Sequence, residues 1–325
     1  MAGPVPAIHA WTVPRAREDV DARDKSGHDG EEGDAMLLTS SIISGLGLGS
    51  MYGLIALGFH VTYVVSNTVN FSQGSAMMLG AVLGYTFAVT LGWPLPIAAL
   101  AALTACALFG AVIERTLVRP FVDRGSNAWL MATVAGGIVL DNLVLFTFGK
   151  EPRGFPSVLA TKPVEIFGAG VYPLQLVIPV AGIAIAVLLQ VAFSRTRLGK
   201  ALLAVVQNPD AAKLMGINAR LAVTASFMIS TALAALAGLL IAPLYSVHSD
   251  MGTLFGIKAF AVAILGGITS ASGVMLAGLV YGLIEALVTA LFGSVYTQIV
   301  VFTVVILALA VMPNGLLGRA AVNKV

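Results

Sequence analysis

The sequence predicts an all-α fold, a polytopic integral membrane protein with about eight to ten transmembrane helices, some of them discontinuous. Three observations carry this expectation. Of the 325 residues, 58% are hydrophobic and 10% charged, whereas an average soluble domain carries roughly 25% charged residues. The mean hydropathy is +0.93. Apolar stretches long enough to cross ~30 Å of hydrocarbon, which takes ~20 helical residues, recur from residue 37 onward. The same figures exclude a water-soluble globule and a disordered chain. The 35 glycines suit helices whose backbones approach closely in lipid. With one cysteine, Cys106, neither an internal disulfide nor a multi-thiolate site can form. No metal, no cofactor and no nucleic-acid partner is expected.

Residues 1–35 hold four Lys/Arg against eight Asp/Glu, a net charge of −4, while the remainder carries +6. This tail shows no helical period and no order of basic, apolar and cleavage regions that would mark a signal peptide. It is expected to be unstructured, with Met36 as the working initiator and residues 36–325 as the transmembrane domain. Nine spans follow in order: 37–65, 72–91, 94–114, 128–149, 172–193, 221–243, 252–268, 274–291 and 297–312. The first is longer than one crossing needs, and the seventh and eighth are separated only by a Gly- and Ser-rich interruption at 266–273. Such breaks suggest discontinuous helices around a path.

Orientation follows from basic residues in short loops. Arg195, Arg197, Lys200, Lys213 and Arg220 cluster at 194–220, Arg115, Arg119 and Arg124 at 115–127, and Arg319 and Lys324 at the C-terminus. All three segments fall on one side under the nine-span count, taken as cytoplasmic. The loop 150–171, with Lys150, Arg153 and Lys162, falls on the other side and departs from the rule.

Gly45, Gly49 and Gly53 share one face of the first span, and Gly278 and Gly282 one face of the eighth, as expected of tight helix crossings. A mobile gate is the other reading. Tyr52-Gly53-Leu54-Ile55 recurs as Tyr281-Gly282-Leu283-Ile284. Asp141 and Glu285 lie inside spans, where a charge costs ~2.5–3.5 kcal/mol on insertion scales, so each should face protein or water. Both a structural contact and a place on the path fit them. Lys258 is expected to snorkel towards a membrane surface, and His60 and His248 stand without partners.

Two polar segments interrupt this pattern. Asn70, Ser72, Gln73 and Gly74 bring donors and acceptors together after a long apolar run, as either an ordinary loop or a functional helix break. In the basic loop, Asn208-Pro209-Asp210 reads as a capped helix start, and Gly216 as the stop. Between them, Ala211–Met215 would form a short helix, more structure than a connecting loop requires. That helix suits docking.

These residues bring out a resemblance to the LivH-like family, the permease subunits of branched-chain amino-acid ABC transporters. Gly49-Ser50-Met51-Tyr52-Gly53-Leu54-Ile55-Ala56-Leu57-Gly58-Phe59 is similar to the family's Gly-Ser-x-Tyr-x-Leu-x-Ala-x-Gly-Phe pattern. Asn70 to Gly74 matches Asn-Phe-Ala-His-Gly, and Met78 to Ala81 matches Met-Leu-Gly-Ala. Gly199 through Ile217 resembles the cytoplasmic signature. The turn Leu265-Gly266-Gly267 and the ending Met312-Pro313-Asn314-Gly315-Leu316-Leu317-Gly318 agree as well. Ser72 and Gln73 stand where Ala and His are common, Lys200 where Arg is, and Leu203 where a second Arg is usual.

The resemblance implies an importer of branched-chain amino acids or related small solutes in the bacterial inner membrane. A periplasmic solute-binding protein would deliver the solute, and a second permease subunit, as a heterodimer, would complete the path. Two cytoplasmic ABC ATPases would dock on Gly199, Lys200, Asn208, Pro209, Asp210, Ala212, Lys213 and Gly216. Asn70, Ser72, Gln73, Gly74, Asp141 and Glu285 would belong to the path or its helix break. The chain has no Gly-x-x-x-x-Gly-Lys-Ser/Thr loop, so it would do no ATP chemistry itself. An ion-coupled secondary transporter is the alternative, with Asp141 and Glu285 its available carboxylates. An intramembrane enzyme is a remoter one; neither a Ser with a deep His nor His-Glu-x-x-His is present.

Overall fold

The computed structural model describes residues 22–318 except 161, 167 and 168, with side chains from Met36 onward apart from those of Val158, Ile166, Ala169 and Pro209. A helix stands at each of the nine expected spans among these residues. Seven are long and apolar enough to cross a membrane. The remaining two, α2 (Gln73–Tyr85, continued by a wide turn over Thr86–Thr90) and α10 (Met251–Gly266), are shorter. The interruption expected at 266–273 contains the turn between α10 and α11, and α1 is continuous over 37–65.

The first helix, α1 (Ala22–Ser66), is longer than its apolar stretch. The helix takes in 22–35 of the tail expected to be unstructured, although Gly27, Gly30 and Gly33 weaken it there; residues 1–21 lie outside the described residues. α3 (Leu95–Ile113) runs through a wide turn at Glu114–Val118 into α4 (Arg119–Val122), and α5 (Trp129–Phe148) follows. A two-stranded antiparallel hairpin, β1 (Val164–Ile166) with β2 (Ala169–Val171), leads into α6 (Pro173–Arg195). Two short helices, α7 (Arg197–Gln207) and α8 (Pro209–Leu214), precede α9 (Ala219–Ile241). The bundle ends with α11 (Ala271–Phe292) and α12 (Ser294–Val311).

The core gathers around α1, which packs on α11, α9, α6 and α10. Glycine sets its closest seam. A Cβ at Gly49 would lie 2.8 Å from Leu279 Cα, and one at Gly278 would lie 2.7 Å from Gly53 Cα. The two glycine stripes face each other in antiparallel helices, as packing demands. The repeated Tyr-Gly-Leu-Ile segments meet in this seam, with the Tyr52 and Tyr281 rings edge to face and their centroids 5.3 Å apart. Gly80 packs on Ala235 of α9 in the same manner.

Loop ends sort cleanly. Arg119 bonds Thr224 and Arg220 approaches Asp123, so the segment after α3 and the loop before α9 share one face. The chain after α12 returns to that face, where Leu316 N donates to Leu265 O. Arg153 instead pairs its backbone with Val247 at the opposite end. The basic segments that were expected together are together, and the discordant loop lies across the bundle from them. Arg319 and Lys324 fall outside the described residues.

Candidate translocation cleft and coupling helix

The break between α1 and α2 is built from side chains that replace missing backbone bonds. Asn67 turns the chain with φ +53°, a left-handed conformation that Asn tolerates better than most residues. Residues 68–72 then climb back into the bundle, so that α2 starts beside Ile55 and Ser230, near the middle of α1 and α9. Asn70, Ser72 and Gln73 are fully buried. Ser72 Oγ donates to Asn70 Oδ1 at 2.6 Å, and Gln73 Nε2 donates to Ser230 O at 2.9 Å and to Ile55 O at 3.4 Å. Gln73 Oε1 accepts from Ser230 Oγ at 2.9 Å and, weakly, from Asn70 at 3.5 Å. The Gln73 amide has no bonding capacity left for a solute. It locks α1, α2 and α9 at one depth, and Gly58 leaves the room it occupies, since a Cβ there would strike the amide.

One residue further, the environment opens. Gly74 and Ser75 on α2, Gly137, Ile138 and Asp141 on α5, and Thr253 and Gly256 on α10 border a cavity of about 300 Å³. Ile138 and Asp141 also line a second cavity of about 400 Å³, reached by Lys150, His248 and Asp250. Asp141 thus stands where the two meet. Thr253 Oγ1 donates to its Oδ2 at 3.4 Å, and the Ser75 hydroxyl faces the same carboxyl. Asp141 Oδ1 is buried and has no hydrogen-bond partner of good geometry.

Glu285 belongs elsewhere. Its Oε1 is 2.5 Å from Lys258 Nζ, which also reaches Tyr52 Oη at 3.4 Å, and both side chains are largely buried. The snorkelling expected of Lys258 is overturned: a buried carboxylate lies within reach, and pairing inside the bundle replaces the water that snorkelling would find. Asp141 and Glu285 are not brought together. A second pairing also went unread. Arg119 grips Glu114 through two bonds of 3.0 and 2.7 Å, with Thr224 donating at 2.9 Å, and this ties the end of α3 to α9.

On the basic face, α7 and α8 form a corner. Asn208 caps α8 by accepting from the backbone N–H groups of Asp210 (3.1 Å) and Ala211 (3.0 Å), and Gly216 closes it at φ +80°. Lys213 and Asp210 are exposed and paired at 3.2 Å. Two residues assigned to docking turn inward. Ala212 is buried against Leu202 and Val205, and Gly199 sits where α6 and α7 touch, a Cβ there lying 2.5 Å from Phe193 Cα. They hold the corner from inside, because a helix this short must bury one side to stay attached. Leu214 and Met215 project in their place, 89% and 82% exposed. The signal for them was present in the sequence as two large apolar residues beside charges in an otherwise polar loop.

Residues 41–309 match the family model described as branched-chain amino acid transport system / permease component. The chain belongs to this family. It is 33% identical over 297 residues to the high-affinity branched-chain amino acid transport system permease protein LivH of Escherichia coli (strain K12), covering 87% of this chain and 96% of that protein. It is 34% identical to BraD of Pseudomonas aeruginosa, the permease protein of a system of the same description, over 87% of this chain and 97% of that one. A more distant relative is the galactose/methyl galactoside import permease protein MglC of Haemophilus influenzae, 28% identical over 78% and 73% of the two chains. The chain is thus a multi-pass permease component, a transport protein rather than an enzyme. The cleft and α8 are to be read as parts of a permease.

Proposed function

We propose that this permease is one of two membrane subunits of an ABC importer for branched-chain amino acids or similar small solutes, sited in the bacterial inner membrane. A periplasmic binding protein delivers solute to the face bearing the Arg153–Val247 pairing. The cleft between α2, α5 and α10 forms half of the path, and a second permease subunit covers its open side. The Gln73 lock fixes the depth of the α2 start, which sets the cleft's inner wall. Two separate ATPases act on the opposite face.

The observation that carries this reading is α8. A six-residue helix, capped at one end and stopped at the other, presents two unshielded apolar side chains outside the spans. An isolated helix of that length has no stability of its own, so its corner holds it in place for contact. Closure of the ATPases would move it as a rigid body with the attached spans.

The test is the combined variant Asn208→Ala, Lys213→Glu, Gly216→Val, together with Leu214→Ser/Met215→Ser, each coexpressed with the neighbouring ATPase and permease genes. Both should insert normally and lose copurification with the ATPase and binding-protein-stimulated hydrolysis. Because Asp210 already neutralises Lys213 in part, the apolar pair should matter more than the charge. Unchanged coupling in both variants would place docking elsewhere.

A further inference from the structure

The cleft uses one side of α1, and the other side carries a second opening. Phe59 faces the cleft, whereas Leu57, Val61 and Val64, half a turn round the helix, floor a crevice between α6 and α11. Two cavities of about 260 and about 110 Å³ compose it, and they share Gln190 of α6 and Ala271 of α11. Along α6 the crevice runs from Ile183 to Phe193, about 15 Å at the helical rise. That is one leaflet's share of a ~30 Å hydrocarbon layer. Its rim is apolar and open, with Ile183, Val187, Leu203 and Leu276 all exposed. A helix with its side chains is about 10–12 Å across, too wide to enter so small a space. A single hydrocarbon chain is not.

The end of the crevice decides which lipid suits it. Leu203 and Val206 of α7 wall it there. Lys200 stands three residues before Leu203, and Arg197 three before Lys200, so the three side chains are successive neighbours on the helix surface. Arg195, Arg197 and Lys200 are exposed, and none forms an ion pair among the described residues. No Asp or Glu occurs between Glu165 and Asp210, or between Met36 and Ser66 of α1. Gln190, also exposed, lies five residues before Arg195, more than one turn deeper in the bilayer. Unpaired cations, then an amide, then an apolar slot repeat the order of phosphate, ester carbonyl and acyl chain.

We propose that the crevice holds one acyl chain of an anionic diacyl phospholipid from the leaflet on the basic side. Its phosphate rests on Lys200 and Arg197, and an ester carbonyl accepts from the Gln190 amide. The lipid thereby wedges α7, the helix that leads into α8, against α1 and α6.

The test is photocrosslinking in the whole assembly, with the chain coexpressed with the neighbouring ATPase and permease genes and placed in nanodiscs. Trace phosphatidylglycerol or phosphatidylcholine, each with a diazirine midway along one acyl chain, is activated, and labelled peptides are mapped by mass spectrometry. The crevice walls, 183–193 and 271–279, are compared with 299–307 of α12, where Ile299, Ile306 and Leu307 are exposed and report general lipid contact. Phosphatidylglycerol should label the walls about fivefold more than phosphatidylcholine, a preference that one basic side chain near an anionic lipid can supply. The reference should show no such preference. Arg197→Gln with Lys200→Gln should bring the wall ratio down to the reference. Gln190→Trp fills the junction of the two cavities from an exposed position and should cut wall labelling by both lipids; Val187→Trp, on the same rim, is the second filler. Equal ratios at walls and reference, a preference that survives loss of both cations, or labelling unchanged by both fillers would each overturn the proposal. So would walls that neither lipid labels, the result expected if a helix of the second permease subunit lies over them.

Discussion

Two sides of the bundle solve the packing problem in opposite ways. Between α1 and α11, glycines bring two backbones into contact, the Tyr52 and Tyr281 rings meet beside them, and Lys258 reaches in from α10 to Glu285. Between α5 and α10, Gly137 and Gly256 both turn toward the start of α2, against Ser75 and Gly74, and the two helices stand apart across a cavity, meeting through the long Thr253–Asp141 bond. A small residue therefore closes only the helix pair that its bare face meets. What decides the outcome is whether the small residues of the two helices face each other, as those of α1 and α11 do. Beside that seam the Glu285 carboxylate has a cation, Lys258 of α10, whereas the cleft carboxylate of Asp141 meets the hydroxyls of Thr253 and Ser75.

Breaking the seam should have the larger consequences. Glu285→Gln leaves Lys258 buried without its counter-charge, and losing one partner of a buried pair costs about 3–5 kcal/mol. Folded, monodisperse protein in detergent should fall sharply, and Glu285→Leu with Lys258→Met should recover most of it. Recovery no better than the single variant would mean that the pair has a function beyond packing. Gly49→Val comes next. Its side chain would meet the α11 backbone, and overpacking of this kind costs about 1–3 kcal/mol, read as a lower thermal midpoint with insertion retained.

The lock beside the cleft should respond less. Gln73→Leu removes an amide that bonds Ser230 at both ends, leaving buried groups unmatched at about 1–3 kcal/mol. Uptake should fall through a shifted α2 even where assembly persists; wild-type uptake at equal expression would show that α2 finds its depth without Gln73. Asn208→Ala should cost about 0.5–2 kcal/mol of local helix stability, visible as faster amide exchange confined to 210–214. Smallest of all, Ile138→Ala on the cleft wall should change stability by less than about 0.5 kcal/mol, because its side chain already borders open space. A large loss there would show that the cleft closes in the assembled protein.

Much of this was legible in the residues, and the reasons differ by element. Apolar length alone located every span, and the spacing of Gly45, Gly49, Gly53, Gly278 and Gly282 marked both faces of one seam. Asn208, Pro209 and Gly216 announced α8, because caps and stops are encoded within a few neighbouring residues. Pairings across the bundle were harder. Lys258 was read alone, although Glu285 was an available opposite charge at similar depth, and charge balance within the spans would have suggested the pair. Ser230, the partner of Gln73, carries no distinguishing signal among the serines and threonines of α9. Which side of α8 turns inward also depended on the α6–α7 corner, so Gly199 and Ala212 could not be told from the exposed positions beside them.

The Lys258–Glu285 pair has a consequence for how the chain is made. α10 is only 16 residues long and carries a cation, and α11 carries the anion that neutralises it. Presented singly to the insertion machinery, each would bring an unmatched charge into lipid at ~2.5–3.5 kcal/mol near a helix centre. The turn that joins them is short, spanning Gly267 to Ser270, so the two segments emerge from the ribosome nearly together. Partition as a preformed hairpin cancels both penalties at once. The order of synthesis thus protects a short span that carries a charge, and separating α10 from α11 with a long polar linker should leave α10 stranded outside the bilayer.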